Sequence, residues 1–395
     1  MRLFYSFFIH FYGFLMRFAG FFNQKAKNWS VVRGNWETDL RQKMDSTVKY
    51  CWIHCASAGE FEQAIPLINR IKNQESRIKT KKIAVSFFSS SGFDMYKDSK
   101  LADLFLYFPL DTKNNAEKLV EILNPSFVIF IRNEIWLNVL LELKSKQIPT
   151  FLVNANLQQK RSIFYQYFLN KTYPLFTKIF DTKTFGNTKL ERVVENRNAI
   201  FSDAILEDFC KDSIVIILGS SWLEEERFII DFYKKIKEKN STLKIIIAPH
   251  ENLSLNSFEL KKSYGNWLSF YKNYTNGNIL VLDKKGILKY AYRYADIAFI
   301  GGGFDKGVHN VSEAAVYGIP TIFGSNYHKF EEINELVNLD VAFPVNNYAE
   351  LEQKLLELIN DSDKRNTIKN KLTTYFSSHE QVAKTIVTEI DKAIH

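Results

Sequence analysis

The sequence predicts an α/β protein of two doubly wound domains in tandem. Short continuous apolar runs alternate with longer amphipathic stretches, which is the pattern of parallel strands covered by helices on both faces. That alternation runs once, stops, and starts again. The 395 residues also exceed the usual domain size of roughly 100 to 200 residues.

The N-terminal segment, "MRLFYSFFIHFYGFLMRFAGFFNQKAKNW", stands apart from both domains. Its uncharged stretch, Leu3 to Met16, falls short of the roughly 20 residues a spanning helix needs. Arg17 interrupts it, while Phe18, Phe21 and Phe22 carry the apolar character further, and "RFAGFFNQ" makes a poor signal cleavage site. Residues 1–28 are therefore expected to form a membrane-associated helix lying in or dipping into a membrane face, with Arg2, Arg17, Lys25 and Lys27 near anionic headgroups. The alternative is a buried first helix of the globular body.

In the first domain, residues 29–205, "VKYCWIHCA", "KKIAVSFFS", "PSFVIFI" and "PTFLVNA" are the strands. "EFEQAIPLINRIKNQ", "NAEKLVEILN" and "EIWLNVLLELKSKQ" are the helices between them. In the second, residues 206–395, the strands are "SIVIILGSS", "LKIIIAP", "NILVLD", "DIAFIGGG" and "IPTIFGS". The helices there are "EEERFIIDFYKKIKEK", "GILKYAYRYA" and "VSEAAVYG". The end of the helical C-terminal stretch is expected to pack back on the first domain. A cleft between the two domains is the default place for a ligand.

Lys and Arg outnumber Asp and Glu by 52 to 44, a formal charge of +8 that favours anionic partners or serves solubility alone. The basic residues are scattered rather than gathered into an arm, so nucleic acid is not an expected partner. Cys51, Cys55 and Cys210 lie in apolar surroundings without the second pair a zinc site needs, and read as core thiols. His250, His309 and His328 have no short spacing with carboxylates, so no metal is expected.

The strongest local feature is "ADIAFIGGGFDKGVHNVSEAAVYGIPTIFG", residues 295–324. A buried strand ends in Gly301, Gly302 and Gly303, and a helix begins near Asn310 or Val311, with Gly318 at its C-cap. Glycine backbone followed by a helix N-terminus presents N–H donors to an anion, so a phosphate site is expected. The spacing is neither G-x-G-x-x-G nor a P-loop, which disfavours a dinucleotide oxidoreductase or an NTPase. Glu313 reads equally as a helix-dipole partner or as a ribose ligand. Ser220 and Ser221 suit a helix N-cap or a phosphate, and His250 after Pro249 suits a structural role or a contact to phosphate or base. In the first domain Glu60, in "SAGE", and Glu134, in "RNEIWLN", each follow a strand end. Glu60 either completes a capping box with Ser57 or acts as a general base.

Taken together, these blocks resemble the 3-deoxy-D-manno-octulosonic acid (Kdo) transferases of lipopolysaccharide synthesis. The resemblance runs over nearly the whole chain: "WIHCASAGE", "YFPLD", "NEIWLN", "VNANLQQKRS", "FGNTKLERV", "LGSSWLEEE", "IAPHE" and the long glycine-containing block. It implies a GT-B fold, two Rossmann-like domains facing a cleft, with the donor CMP-Kdo bound mainly by the second and no cofactor. It implies Glu60 as the base that deprotonates a glucosamine hydroxyl of a lipid A precursor, with Glu134 and Lys189 in transition-state support. For the nucleotide it implies Pro249 and His250, then Gly286, Ile287 and Leu288, then Asn310, Val311, Ser312 and Glu313, joined by Gly301 and Gly302 of the glycine loop. The implied location is the cytoplasmic face of the inner membrane.

Three positions depart from the family pattern. An arginine usually follows the proline where this chain has His250, Arg132 replaces a glutamate before "NEIW", and Ile287 replaces the glutamate of "GEL". Rival expectations are another nucleotide-sugar transferase of the same fold, a sugar-nucleotide epimerase, and a membrane-attached sensor.

Overall fold

The computed structural model describes all residues except 74–81, 133, 158–161, 251–267, 276, 306 and 395, and the Lys25 side chain. The expectation placed on Lys25, and the parts of the motifs that run through 133, 158–161 and 251, lie outside them. The chain divides into two compact units, Met1–Arg192 with Gln381–His395, and Val193–Glu380.

The first unit is built on strands β1 (Tyr50–Cys55), β2 (Lys82–Phe87), β3 (Leu104–Tyr107), β4 (Pro125–Ile131), β5 (Thr150–Ala155) and β6 (Lys178–Asp181). They pair in the order β3-β2-β1-β4-β5-β6, every pair parallel. The second unit carries β7 (Ile214–Ser221), β8 (Leu243–Pro249), β9 (Leu268–Phe270), β10 (Ile279–Val281), β11 (Ile297–Ile300), β12 (Thr321–Gly324) and β13 (Ala342–Val345). Their order is β13-β12-β11-β7-β8-β10-β9, again parallel throughout.

Both sheets reverse direction once. The chain lays down β1, β2 and β3 outward and then returns to place β4 on the other side of β1; likewise β11 returns beside β7. The loops leaving the two strands at such a switch point diverge to opposite faces, which opens a crevice at the carboxyl ends of the strands. Strand β1 shows why the sheet is buried on both faces. Its alternate side chains Cys51, Ile53 and Cys55 join one core cluster with Phe61, Ile65 and Phe127. Trp52, pointing the other way, joins Phe108, Phe130 and Leu140 in a second. The final helix, Val382–Ile394, places Val382, Ile386, Val387 and Ile390 in the first of these clusters.

At the N-terminus a helix spans Arg2–Ala19. Its narrow inward stripe runs through Tyr5, Ile9, Gly13 and Met16, spaced to share one helix face. Gly13 seats it: a Cβ there would stand 2.6 Å from Leu110 Cδ2. Among the described residues no helix is long and apolar enough to cross a membrane.

Candidate active site

The crevice of the first sheet is flanked by the ends of β1 and β4. After β1 the chain turns into the helix Ala58–Asn73. Ser57 Oγ accepts the Glu60 N–H at 3.4 Å, and Glu60 Oε2 accepts the Ala56 N–H at 2.5 Å. Glu60 thus caps the helix start as the S-x-x-E spacing suggests. Its carboxyl is nevertheless pushed up to about 7, first by burial and then by the neighbouring Glu134 charge. These outweigh the capping bonds and the Arg132 cation, which pull the other way. A carboxyl balanced near neutrality is suited to take a proton from a hydroxyl.

Glu134 lies on the turn between β4 and the helix Leu137–Ser145, which begins three residues later than the sequence pattern suggests. Trp136 Nε1 lies 2.9 Å from both Glu134 Oε2 and His54 Nε2, and His54 Nε2 stands 3.5 Å from the same carboxylate oxygen. His54 itself is fully buried, and burial lowers its pKa, so the ring is held neutral. Its Nδ1 pairs with Ser86 Oγ at 2.8 Å, which also accepts the Trp52 Nε1–H at 2.8 Å. Sequence reasoning passed over His54. The signal was present in "CWIHC", a polar ring in a continuously apolar strand, because a buried imidazole must find partners.

Lys189 sits at the start of the helix Thr188–Asn198. Thr188 donates to the Gln63 carbonyl at 2.6 Å and its N–H to Asn154 Oδ1 at 3.1 Å. Asn154 Nδ2 in turn reaches Gln63 Oε1 at 2.9 Å. Gln63 is one turn beyond Glu60, so the helix bearing Glu60 and the helix bearing Lys189 are tied by a buried polar network.

In the second sheet the crevice is flanked by the ends of β7 and β11. The expectation that Gly301 and Gly302 offer their N–H groups to a phosphate is corrected by the bonding. Gly301 N–H donates to the Gly219 carbonyl at 2.9 Å and Gly302 N–H to Glu225 Oε1 at 2.9 Å. The glycines are required by close approach instead: a Cβ at Gly301 would strike the Ser220 carbonyl, and one at Gly303 would stand 2.5 Å from Gly324 N. Glu225 also accepts the Trp222 N–H at 2.9 Å, so one buried carboxylate holds both loops of the crevice together.

The helix after β11 is shorter than expected, Val311–Ala315 rather than reaching Gly318, and its N-cap Asn310 makes no side-chain capping bond. Asn310 Nδ2 instead donates to Glu313 Oε1 at 2.9 Å. His250, directly after Pro249 at the end of β8, lies with its ring 4.2 Å from that of His309 and 5.1 Å from that of Trp222. Burial, with His250 beside it, pushes His309 down to about 4. Three buried polar atoms here, His309 Nε2, Asn310 Oδ1 and Ser312 Oγ, have no hydrogen-bond partner among the described residues. Buried polar groups are rarely left unpaired, so such a cluster makes this a candidate place for a ligand or an ordered water. Gly286, Ile287 and Leu288 precede Lys289, whose carbonyl accepts the Tyr317 hydroxyl at 2.7 Å. Among the described residues no group of three or more metal-ligating side chains occurs.

Residues 28–193 match the family model described as 3-deoxy-D-manno-octulosonic-acid transferase (kdotransferase). The chain is 30% identical over 324 residues to the 3-deoxy-D-manno-octulosonic acid transferase of Aquifex aeolicus, covering 78% of this chain and 85% of that one. In architecture it is similar to a UDP-GlcNAc 2-epimerase from Neisseria meningitidis, with a TM-score of 0.60 and 15% identity over 87% of this chain and all of that one. It is also similar to a glycosyltransferase from Rickettsia africae, with a TM-score of 0.57 and 13% identity over 88% of this chain and 98% of that one. The epimerase likeness concerns fold alone. With its two parallel Rossmann-like sheets, the chain belongs to the Kdo transferase family of GT-B-type glycosyltransferases.

Proposed function

We propose that this chain transfers Kdo from CMP-Kdo to a glucosamine hydroxyl of a lipid A precursor of the lipid IVA type, with inversion at the anomeric carbon. Glu60 takes the hydroxyl proton as the new C–O bond forms, and the bond from the anomeric carbon to the CMP phosphate breaks, leaving CMP with the electron pair. The single observation that carries this reading is the Glu60 carboxyl pushed up to about 7 beside Glu134 in the switch-point crevice. Glu134 maintains that perturbation by its charge, and Lys189 supports the departing phosphate. The unpartnered atoms of His309, Asn310 and Ser312 receive the nucleotide with His250, Val311 and Glu313, and Pro249 and residues 286–288 border the base and ribose. Donors already oriented before the reaction stabilise the developing phosphate charge without reorganisation.

The acceptor is an amphiphile, and the N-terminal helix suits its surroundings. Leu3, Phe4, Phe7, Phe11, Phe14 and Phe18 are exposed, and Phe21 and Phe22 are each 82% exposed. Apolar side chains turned outward on this scale favour a lipid interface. We place the protein on the cytoplasmic face of the inner membrane, and deletion of residues 1–25 is expected to abolish sedimentation with membranes.

The test of the reaction is incubation with CMP-Kdo, regenerated in situ, and a tetra-acylated lipid A precursor, followed by mass spectrometry of the lipid. A gain of whole Kdo units that disappears in a folded Glu60→Ala variant supports the reading. No product from folded wild type removes it, and binding of UDP in preference to CMP points to another sugar donor.

A further inference from the structure

The "YFPLD" motif has no part in the chemistry above, yet its Asp111 is a buried carboxylate with three hydrogen-bond donors on it. Asp111 is 1% exposed, and its two oxygens accept the N–H groups of Asn138 and Val139, each at 3.0 Å. Those are the opening N–H groups of the helix Leu137–Ser145, whose own N-cap, Trp136, supplies no side-chain bond. Asp111 therefore caps that helix from a distant part of the chain. The same carboxylate accepts the Tyr5 hydroxyl at 2.7 Å. Beside it Arg2 Nε donates to Asn138 Oδ1 at 3.0 Å, and Asn138 Nδ2 donates to the Asp111 carbonyl at 2.7 Å. Only Trp136 separates Leu137 from the Glu134–Ile135 turn, and Trp136 is the residue whose indole N–H meets Glu134 and His54.

We propose that the N-terminal helix is a positioning element of the active site: Tyr5 and Asp111 clamp it to the helix start that orients Trp136 and Glu134. The inference rests on the reading that Glu134 serves the transfer reaction. Its physical content is that one carboxylate has three donors, two from the turn beyond Glu134 and one from a helix whose other face is apolar and exposed. Removing the third donor leaves a fully buried charge with less compensation, which loosens the remaining two bonds. Seating of the N-terminal helix and order at residues 134–140 then rise and fall together.

The experiment compares the full-length wild type, Tyr5→Phe and Asp111→Asn. The phenylalanine keeps the ring that stacks on Phe168 at 5.9 Å and deletes only the hydroxyl. Three quantities are read: kcat for Kdo transfer to a tetra-acylated lipid A precursor, binding to vesicles of phosphatidylethanolamine and phosphatidylglycerol, and amide hydrogen exchange at residues 134–140. The clamp predicts that Tyr5→Phe lowers kcat on the order of tenfold, speeds exchange at 134–140, and leaves vesicle binding unchanged. Asp111→Asn changes both kcat and exchange further. Unchanged exchange and kcat in Tyr5→Phe overturn the proposal, as does a loss of kcat that tracks a loss of vesicle binding, which makes the helix an anchor alone. If folded wild type transfers nothing, the assigned reaction fails, and hydrogen exchange in Tyr5→Phe still decides the clamp.

Discussion

The two crevices occupy equivalent places, each at the carboxyl ends of the strands where its sheet reverses, yet they handle polar groups in opposite ways. In the first, Trp52, Ser86, His54, Trp136 and Glu134 form a continuous bonded chain within the protein. In the second, His309 Nε2, Asn310 Oδ1 and Ser312 Oγ stand buried without partners among the described residues. A closed network fixes the geometry of an acid–base group before substrate arrives. An open one lowers the stability of the empty protein and returns that energy when a ligand completes it. On the proposed function, the contrast separates a site built to act from a site built to receive.

The largest effect that tests this contrast is on Glu60. Glu60→Gln is expected to reduce kcat by about 10²- to 10⁴-fold while leaving CMP binding within about twofold, measured by lipid mass spectrometry and calorimetry. Equal turnover returns Glu60 to helix capping alone. In wild type kcat/KM should rise with pH through a limb near 7, since the base acts deprotonated. For stability, the folded value of about 7 exceeds the ordinary 4.5, so the protonated form is the one favoured by folding. That contribution is complete below about 4.5 and is lost as pH rises through 7; Glu60→Gln should therefore gain stability over wild type, by about 1–3 kcal/mol at pH 8.

The closed network is broken by Ser86→Ala, which strips a partner from both Trp52 and His54 and should cost about 2–4 kcal/mol in urea unfolding. A smaller loss, about 1–3 kcal/mol, is expected for Gly301→Ala, whose methyl would meet the Ser220 carbonyl and stand 2.5 Å from Glu225 Oε2. The smallest change sharpens the comparison most. Ser312→Ala removes a buried hydroxyl without a partner, so the empty protein should become more stable by about 1 kcal/mol while CMP binds roughly three- to tenfold more weakly. Loss of stability in the empty variant would mean that the second crevice is satisfied internally like the first.

The central strands were legible because each is a continuous apolar run, the only composition that suits a strand buried on both faces. The four strands that the pattern did not mark, β3, β6, β9 and β13, are the two edges of each sheet and only three or four residues long. Edge strands are commonly short, and their pairing is specified by the neighbour rather than by their own residues. Of the candidate residues, Glu60, Glu134 and His250 were singled out from turn positions after strands. His54 was not, although a polar ring inside a continuously apolar run was itself the signal; its partners Ser86 and Trp136 come from distant segments.

By itself the sequence determined the two-sheet α/β plan and the family, since both are written in local periodicity and contiguous motifs. Tertiary structure alone decided which N–H groups of the glycine loop are already engaged and which buried atoms remain unpartnered. It alone decided that Asp111 joins Tyr5 to the first turn of the Leu137–Ser145 helix. Hydrogen-bond partners in this cluster lie far apart in the chain, 106 residues between Tyr5 and Asp111 and 136 between Arg2 and Asn138. Whether a buried polar group is satisfied depends on such distant partners, and no local pattern encodes it.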